Sequence, residues 1–274
     1  MKCSWLILFL TSIALAHAQT QDMIDFRQKT LEKFNGARRL LASGDLRKLL
    51  TPVEQTIGVA KFKAANIYLD IMGPGADMQK LKWSRKLEQI GYEYTKEKVQ
   101  SKDPLKSINY KDHVGFVWTG DVGALLDTAV KVIPINQLKA ALGKELKLLE
   151  TLIIAIWMGV AAPKTTPIKK GDTFGPAEVL YADRYEVGCY SNLLPSYCFL
   201  NKIDYRPELF KVGVSCSSCS THCEFTRRKD GSAVEGELCV APKGEVALSK
   251  SSEHRGNGVK ILMATTLIAL IMSF

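Results

Sequence analysis

The placing of cysteine constrains this chain more than any other feature. Of its seven cysteines, Cys3 lies in an apolar N-terminal stretch, and Cys189, Cys198, Cys216, Cys219, Cys223 and Cys239 all fall in the last third. An even set of cysteines behind a secretory leader predicts disulfides. The first two-thirds must therefore cohere by packing alone, while the end is stapled. Spacing by itself leaves the connectivity of the six open.

Both ends carry processing signals. MKCSWLILFLTSIALAHA has a basic Lys2, an apolar run and the small-x-small pattern Ala16-His17-Ala18, which reads as a signal peptide over 1–18 with Gln19 as the mature start. An uncleaved anchor is the alternative. At the other end, residues 261–274 are uncharged and mostly apolar. As a helix they span roughly 21 Å, short of the roughly 30 Å hydrocarbon core. A polar spacer over 241–260 precedes them, rich in small residues, and the combination is the signal for a glycosylphosphatidylinositol anchor. Ser251, Ser252 and Gly256 are the candidate attachment residues. A tail anchor is the alternative. The chain is thus expected to be secreted and held at the plasma membrane surface by lipid.

The formal net charge is +9. That balance suits anionic surfaces, yet basic and acidic residues alternate, as in YEYTKEKVQSKD, and no arginine-rich run with interleaved aromatics occurs. Nucleic acid is excluded as a partner on this ground. No Asn-x-Ser/Thr sequon is present.

Hydrophobic spacing predicts helices over Met23–Ala42 (stopped by Gly44), Trp83–Val99, Val122–Ile133 and Gln137–Met158. Within the last, Thr151–Ala162 extends an apolar run too short to span a membrane. Thr173 is placed as the N-cap of a short helix with Pro176 in its first turn. Strands are predicted over Glu186–Tyr190, Ser196–Tyr205 and Leu209–Cys216. Helices giving way to clustered strands argue an α+β layered domain. The stretch CSSCSTHCEFTRRKDGSAVEGELC holds too few apolar residues for a core of its own and reads as a small disulfide-stapled appendage with a turn at Lys229–Gly231.

Catalytic chemistry finds few candidates. Histidine occurs at positions 17, 113, 222 and 254, so His113 and His222 alone lie between the two processing signals. His113 sits in a loop-like stretch and reads as solvated. No HExxH, GxSxG or phosphate-loop spacing occurs. Cys216, Cys219, His222 and Cys223 offer four candidate zinc ligands within eight residues, but adjacent His222 and Cys223 fit one tetrahedral centre poorly, and an oxidising compartment favours disulfides. No catalytic residue, metal or cofactor is assigned.

FNGARRLLASGD, with Asn35 and Arg38, resembles the opening helix motif His-Asn-x-x-Arg of the cysteine-rich secretory, antigen 5 and pathogenesis-related (CAP, or SCP/TAPS) superfamily. Ala65, Asn66, Leu81, Trp83 and Leu87 resemble its next segment. Tyr181, Ala182, Gly188 and Cys189 match its second signature, typically His-Tyr-Thr-Gln-x-x-Trp-Ala followed by Gly-Cys. The cysteine run ending at Cys239 resembles the hinge of worm members. The resemblance implies a three-layer α-β-α sandwich over 19–205 and a cysteine-rich hinge over 206–240, with pairs Cys189–Cys198, Cys216–Cys223 and Cys219–Cys239. Family members carry two histidines and two acidic residues in a central cleft that holds a divalent metal. Here Phe34 and Gly175 stand at the histidine positions, and one acidic position maps near Gly115-Phe116. Hydrolysis or metal binding is therefore not carried over. What the resemblance leaves is a non-catalytic ligand module for a sterol, a fatty acid or another lipid, with Thr151–Ala162 either lining a groove or forming plain core. The alternative is a module that recognises a cell-surface protein.

Overall fold

The structure is a computed structural model that describes residues 2–69, 72–121, 123–125, 146–163, 167–191, 195–204, 206–227 and 233–242. Two units are distinguished, Met1–Ala241 and Pro242–Phe274, and of the second only Pro242 is described.

Helix α1 runs over Lys2–Ala42 and ends where Gly44 takes φ 76°, a left-handed conformation that glycine adopts without strain. Two helices not anticipated from sequence follow, α2 (Asp45–Ile57) and α3 (Val59–Ala64). Their signal was present, since Leu46, Leu50 and Val53 share one buried face at helical spacing. Strand β1 is Lys82–Trp83, and helix α4 is Arg85–Tyr94. The helix predicted over Trp83–Val99 is thus shorter at both ends. Ser84 caps it by accepting from the Leu87 amide, and Trp83 belongs to the sheet.

Strands β2 (Ser107–Tyr110) and β3 (His113–Trp118) form a hairpin. His113, expected in a solvated loop, opens β3, half-buried, with Nδ1 3.2 Å from the Leu200 carbonyl. Burial holds its imidazole below the ordinary histidine value. Of the predicted helix Val122–Ile133, residues 123–125 are helical and the rest lie outside the described residues. The next described helix, α5, is Leu146–Val160; residues 137–145 of the predicted Gln137–Met158 helix also lie outside. Gly175–Leu180 forms a 3-10 helix. Phe174, not Thr173, holds its N-cap position, without a side-chain cap, and Pro176 lies in the first turn.

Strand β4 is Glu186–Tyr190, as predicted; β5 is Ser196–Leu200 and stops short of Tyr205. The strand predicted over Leu209–Cys216 is replaced by turns with one bridge, Gly75 to Val212. Strands β6 (Cys223–Arg227) and β7 (Ala233–Cys239) pair as a separate hairpin.

The main sheet has the order β1-β4-β5-β3-β2, with β1 and β4 parallel and the other neighbours antiparallel. Alternation along its strands divides two cores. Phe116, Trp118, Val187, Cys189, Cys198 and Leu200 face the helical layer of α1, α5 and the 3-10 helix. Val117, Tyr197 and Phe199 face the other way, onto Leu87, Ile90 and Tyr94 of α4. Helix, sheet and helix make three layers, and the fold class is α+β.

Candidate functional site

The sites where chemistry is expected lie along one side of α1. Phe34, Asn35 and Arg38 follow each other at helical spacing. Asn35 clasps residue 81 by both of its amide groups, donating to the Leu81 carbonyl at 3.0 Å and accepting the Leu81 amide at 2.8 Å. Arg38 is fully buried and donates to five main-chain carbonyls: Gln79, Val179, Tyr181, Ala182 and Arg184. Burial pushes its guanidinium down to about 9, with Asp183 and Asp77 pulling the other way. It stays charged at neutral pH, and the five carbonyl dipoles take the place of water. These two residues fasten α1 to the loop before β1 and to the segment leaving the 3-10 helix.

Phe34 is also fully buried. Its ring lies 5.8 Å from Phe116 and 5.1 Å from Trp118, and Trp157 of α5 closes the cluster at 6.1 Å from Phe116 and 5.6 Å from Trp118. At Gly175, φ is 54°, and a Cβ would come within 2.6 Å of the Leu105 carbonyl oxygen. Its amide donates to Ser107 Oγ at 2.5 Å. A side chain at 175 would have to displace the Leu105–Lys106 backbone. At Gly115 a Cβ would meet the Cys198 carbonyl oxygen at 2.5 Å. Positions 34, 175 and 115 therefore present aromatic carbon and bare backbone, and none of the three carries a side chain that could move a proton or ligate a metal. The nearby Glu178 is committed elsewhere, receiving Arg184 Nη2 at 2.6 Å and the Phe174 amide at 3.2 Å.

The apolar run on α5 is core. Leu152 through Met158 are each 3% exposed or less. Among the described residues, no helix is long and apolar enough to cross a membrane, and no group of three or more His, Cys, Asp or Glu is placed to hold a metal. The structure forms three disulfides, Cys189–Cys198, Cys216–Cys223 and Cys219–Cys239. The first lies fully buried between neighbouring strands β4 and β5. The other two take up Cys216, Cys219 and Cys223, the three sulfurs of the candidate zinc set, so those sulfurs are not thiolates. Ser251, Ser252 and Gly256 lie outside the described residues.

Sequence reasoning missed how the stapled end joins the body. Both of its disulfides close within residues 216–239, so no covalent bond other than the chain ties it down. Leu238, fully buried, enters the main core. Glu224 accepts from Arg39 Nε and Nη2, at 2.8 and 2.9 Å, and from Lys80 at 2.9 Å. The Cys239 amide donates to Met78, and the Lys80 amide to Cys239. Nothing local in the sequence marks Glu224, because its cations come from residues far along the chain.

No protein-family model matches the sequence, and no curated protein matches it significantly. Solved structures do match. One is NaASP2 with Zn2+, at 17% identity and a TM-score of 0.37 over 78% of this chain and 94% of that one. Another is hookworm platelet inhibitor, at 13% and 0.35 over 73% and 93%. A third is Na-ASP-1, at 16% and 0.38 over 80% of this chain and 46% of its own length. All three are CAP superfamily proteins. The fold of this chain is a three-layer α-β-α sandwich. That architecture stands on this chain's own strand order and two-faced core.

Proposed function

We propose that this is a non-catalytic extracellular CAP-type protein, tethered at the cell surface, that recognises a partner protein through its disulfide-stapled end. The observation that carries the reading is a set of apolar side chains left in solvent there: Val212 and Val214 are each 76% exposed and Phe225 67%. Isolated exposed valines are ordinary, but these flank one staple. Val214 lies two residues before Cys216, and Phe225 two residues after its partner Cys223. The loop is held in shape by the Gly213 amide on Pro74, the Ser217 amide on Val214 and Ser215 Oγ on Ala42. A preordered apolar surface binds with little ordering cost.

The reading that the metal-binding cleft has been given up rests on the aromatic packing at Phe34 and the closed backbone at Gly175. A sterol or fatty-acid role is the weaker reading, because the α5 run that would wall its groove is packed as core. To test the surface reading, intact cells are stained with the fluorescently labelled secreted chain and with a Val214→Asp/Phe225→Asp variant. Binding is expected to weaken by about tenfold or more in the variant, as for loss of an interface hot spot. Equal staining sinks the proposal. Release of the native protein by phosphatidylinositol-specific phospholipase C tests the tether separately.

A further inference from the structure

Helix α1 runs unbroken over Lys2–Ala42, and the small-x-small pattern Ala16-His17-Ala18 puts the new end of the chain at Gln19, inside that helix. The helix is fastened to the body further along. Phe26 meets the Trp83 ring at 6.3 Å, and Arg27 binds Glu88 at 2.6 Å. Gln21, Asp22, Ile24 and Asp25, just before them, are exposed. The new end therefore stands about 10 Å up the helix axis from Phe26, beyond a solvent-facing turn. The sequence suits a helix that begins there. Counted from Lys2, the first turn holds no acid; cut after Ala18, the helix opens with Asp22 and then Asp25, where carboxylates complement the amide dipoles. Gln21 Nε2 also donates to Asp25 at 2.9 Å, a pairing four residues apart that braces this opening turn. What does not suit it is a terminal ammonium, a positive charge set at the positive end of the helix.

We propose, resting on the extracellular reading above, that Gln19 is a modification site and closes on itself to pyroglutamate. Its α-amino nitrogen attacks the carbon of its own side-chain carboxamide. The new C–N bond completes a five-membered lactam, the old C–N bond breaks, and the amide nitrogen leaves as ammonia with the proton that the amine gives up. Nothing is oxidised or reduced, and no co-reactant is consumed. A terminal amine titrates at about 8, so the neutral nucleophile is present at extracellular pH. Gln21 and Gln28 keep their carboxamides, because their main-chain nitrogens are peptide amides. The ring removes the terminal charge and costs the helix no hydrogen bond, since the first N–H groups of a helix have no carbonyl one turn back. It also leaves aminopeptidases, which grip a free terminal amine, nothing to hold, and so protects the exposed turn ahead of Phe26.

Mass spectrometry tests this on the chain as cells export it. Free amines are dimethylated on the intact protein before digestion, so that a ring closed during handling is not mistaken for one closed beforehand. The N-terminal peptide, ending at Arg27, should begin at Gln19, carry no methyl at its end and weigh one ammonia less than its sequence dictates. A Gln19→Ala chain should instead carry the label. Incubated unlabelled with an aminopeptidase, that variant should lose its first residues while the native chain keeps them. A native peptide that begins at Gln19 with a dimethylated amine overturns the cyclisation and leaves the export signal standing. A peptide that begins elsewhere overturns the cleavage as well. Equal survival of the native and Gln19→Ala chains overturns the protective role.

Discussion

Arg38 and Phe34 sit four positions apart on α1 and divide the labour of that helix. Arg38 substitutes a charged fork for water around five carbonyls that would otherwise be buried near one another. Removing it while keeping its bulk, as Arg38→Met, leaves those carbonyls without their donor. Breaking a buried charge-assisted network costs about 3–5 kcal/mol, so the variant should unfold at markedly lower urea concentration with an unchanged slope. A midpoint within experimental error of the native one would show that the five bonds contribute nothing net. Phe34 does the opposite work, filling space with carbon. Asn35 and Arg38 bond the main chain, and Phe34 packs against aromatic rings.

Helix α4 shows how an element is seated by what a strand lacks. A Cβ at Gly188 of β4 would lie 2.3 Å from the Glu88 nitrogen and 2.4 Å from the Ser84 carbonyl oxygen. The first turn of α4 thus rests directly on strand backbone, and Gly188→Ala must push them apart. Overpacking of this kind costs about 1–3 kcal/mol. Here the obstacle is backbone, not a flexible side chain, so a loss at the upper end is expected, read as a lowered melting temperature. Faster amide exchange in α4 than in α5 would locate it. The same element shows where periodicity misleads. Trp83 fits the helical spacing of Leu87, Ile90 and Tyr94, yet it pairs with Val187 in the sheet and donates to Glu88. Helical phase continued one turn too far, and the cap at Ser84 ended it. Residues 209–216 read as a strand by their composition, but the sheet closes with β1 and β2 at its edges and pairs no strand with them. By contrast β4 was legible because its whole signal, a short apolar run ending at cysteine, is local.

At the scale of the molecule, the attachment of the stapled end rests on Leu238, on backbone hydrogen bonds that include Cys239 to Met78, Lys80 to Cys239 and Ser218 to Ala76, and on the Glu224 cluster. Burial raises the Glu224 carboxyl, but Arg39 and Lys80 outweigh it and hold the group below the ordinary glutamate value. Its folded-state value lies below its unfolded one, so its contribution is fully present above about pH 4.5 and is lost as pH falls through the folded value. The protection of the Cys239 amide, measured against its intrinsic exchange rate at each pH, should therefore fall in acid below that range while protection in β3 and β5 is kept. Glu224→Gln should raise the neutral-pH rate and flatten the acid response. An unchanged acid response in the glutamine variant would assign it to another group.

Much was determined by the sequence alone. The cysteines confined the staples to the end, and the spacing of α1 and the apolar run of β4 announced those elements. Those features are local or compositional, and propensity and side-chain type act over a few residues. Only the tertiary structure placed Trp157 against Trp118, buried Leu152–Met158 as core, and brought Arg39 and Lys80 to Glu224. Each of these joins residues far apart in the chain. Close packing chooses such partners after the elements have formed, and nothing written along the chain names them in advance.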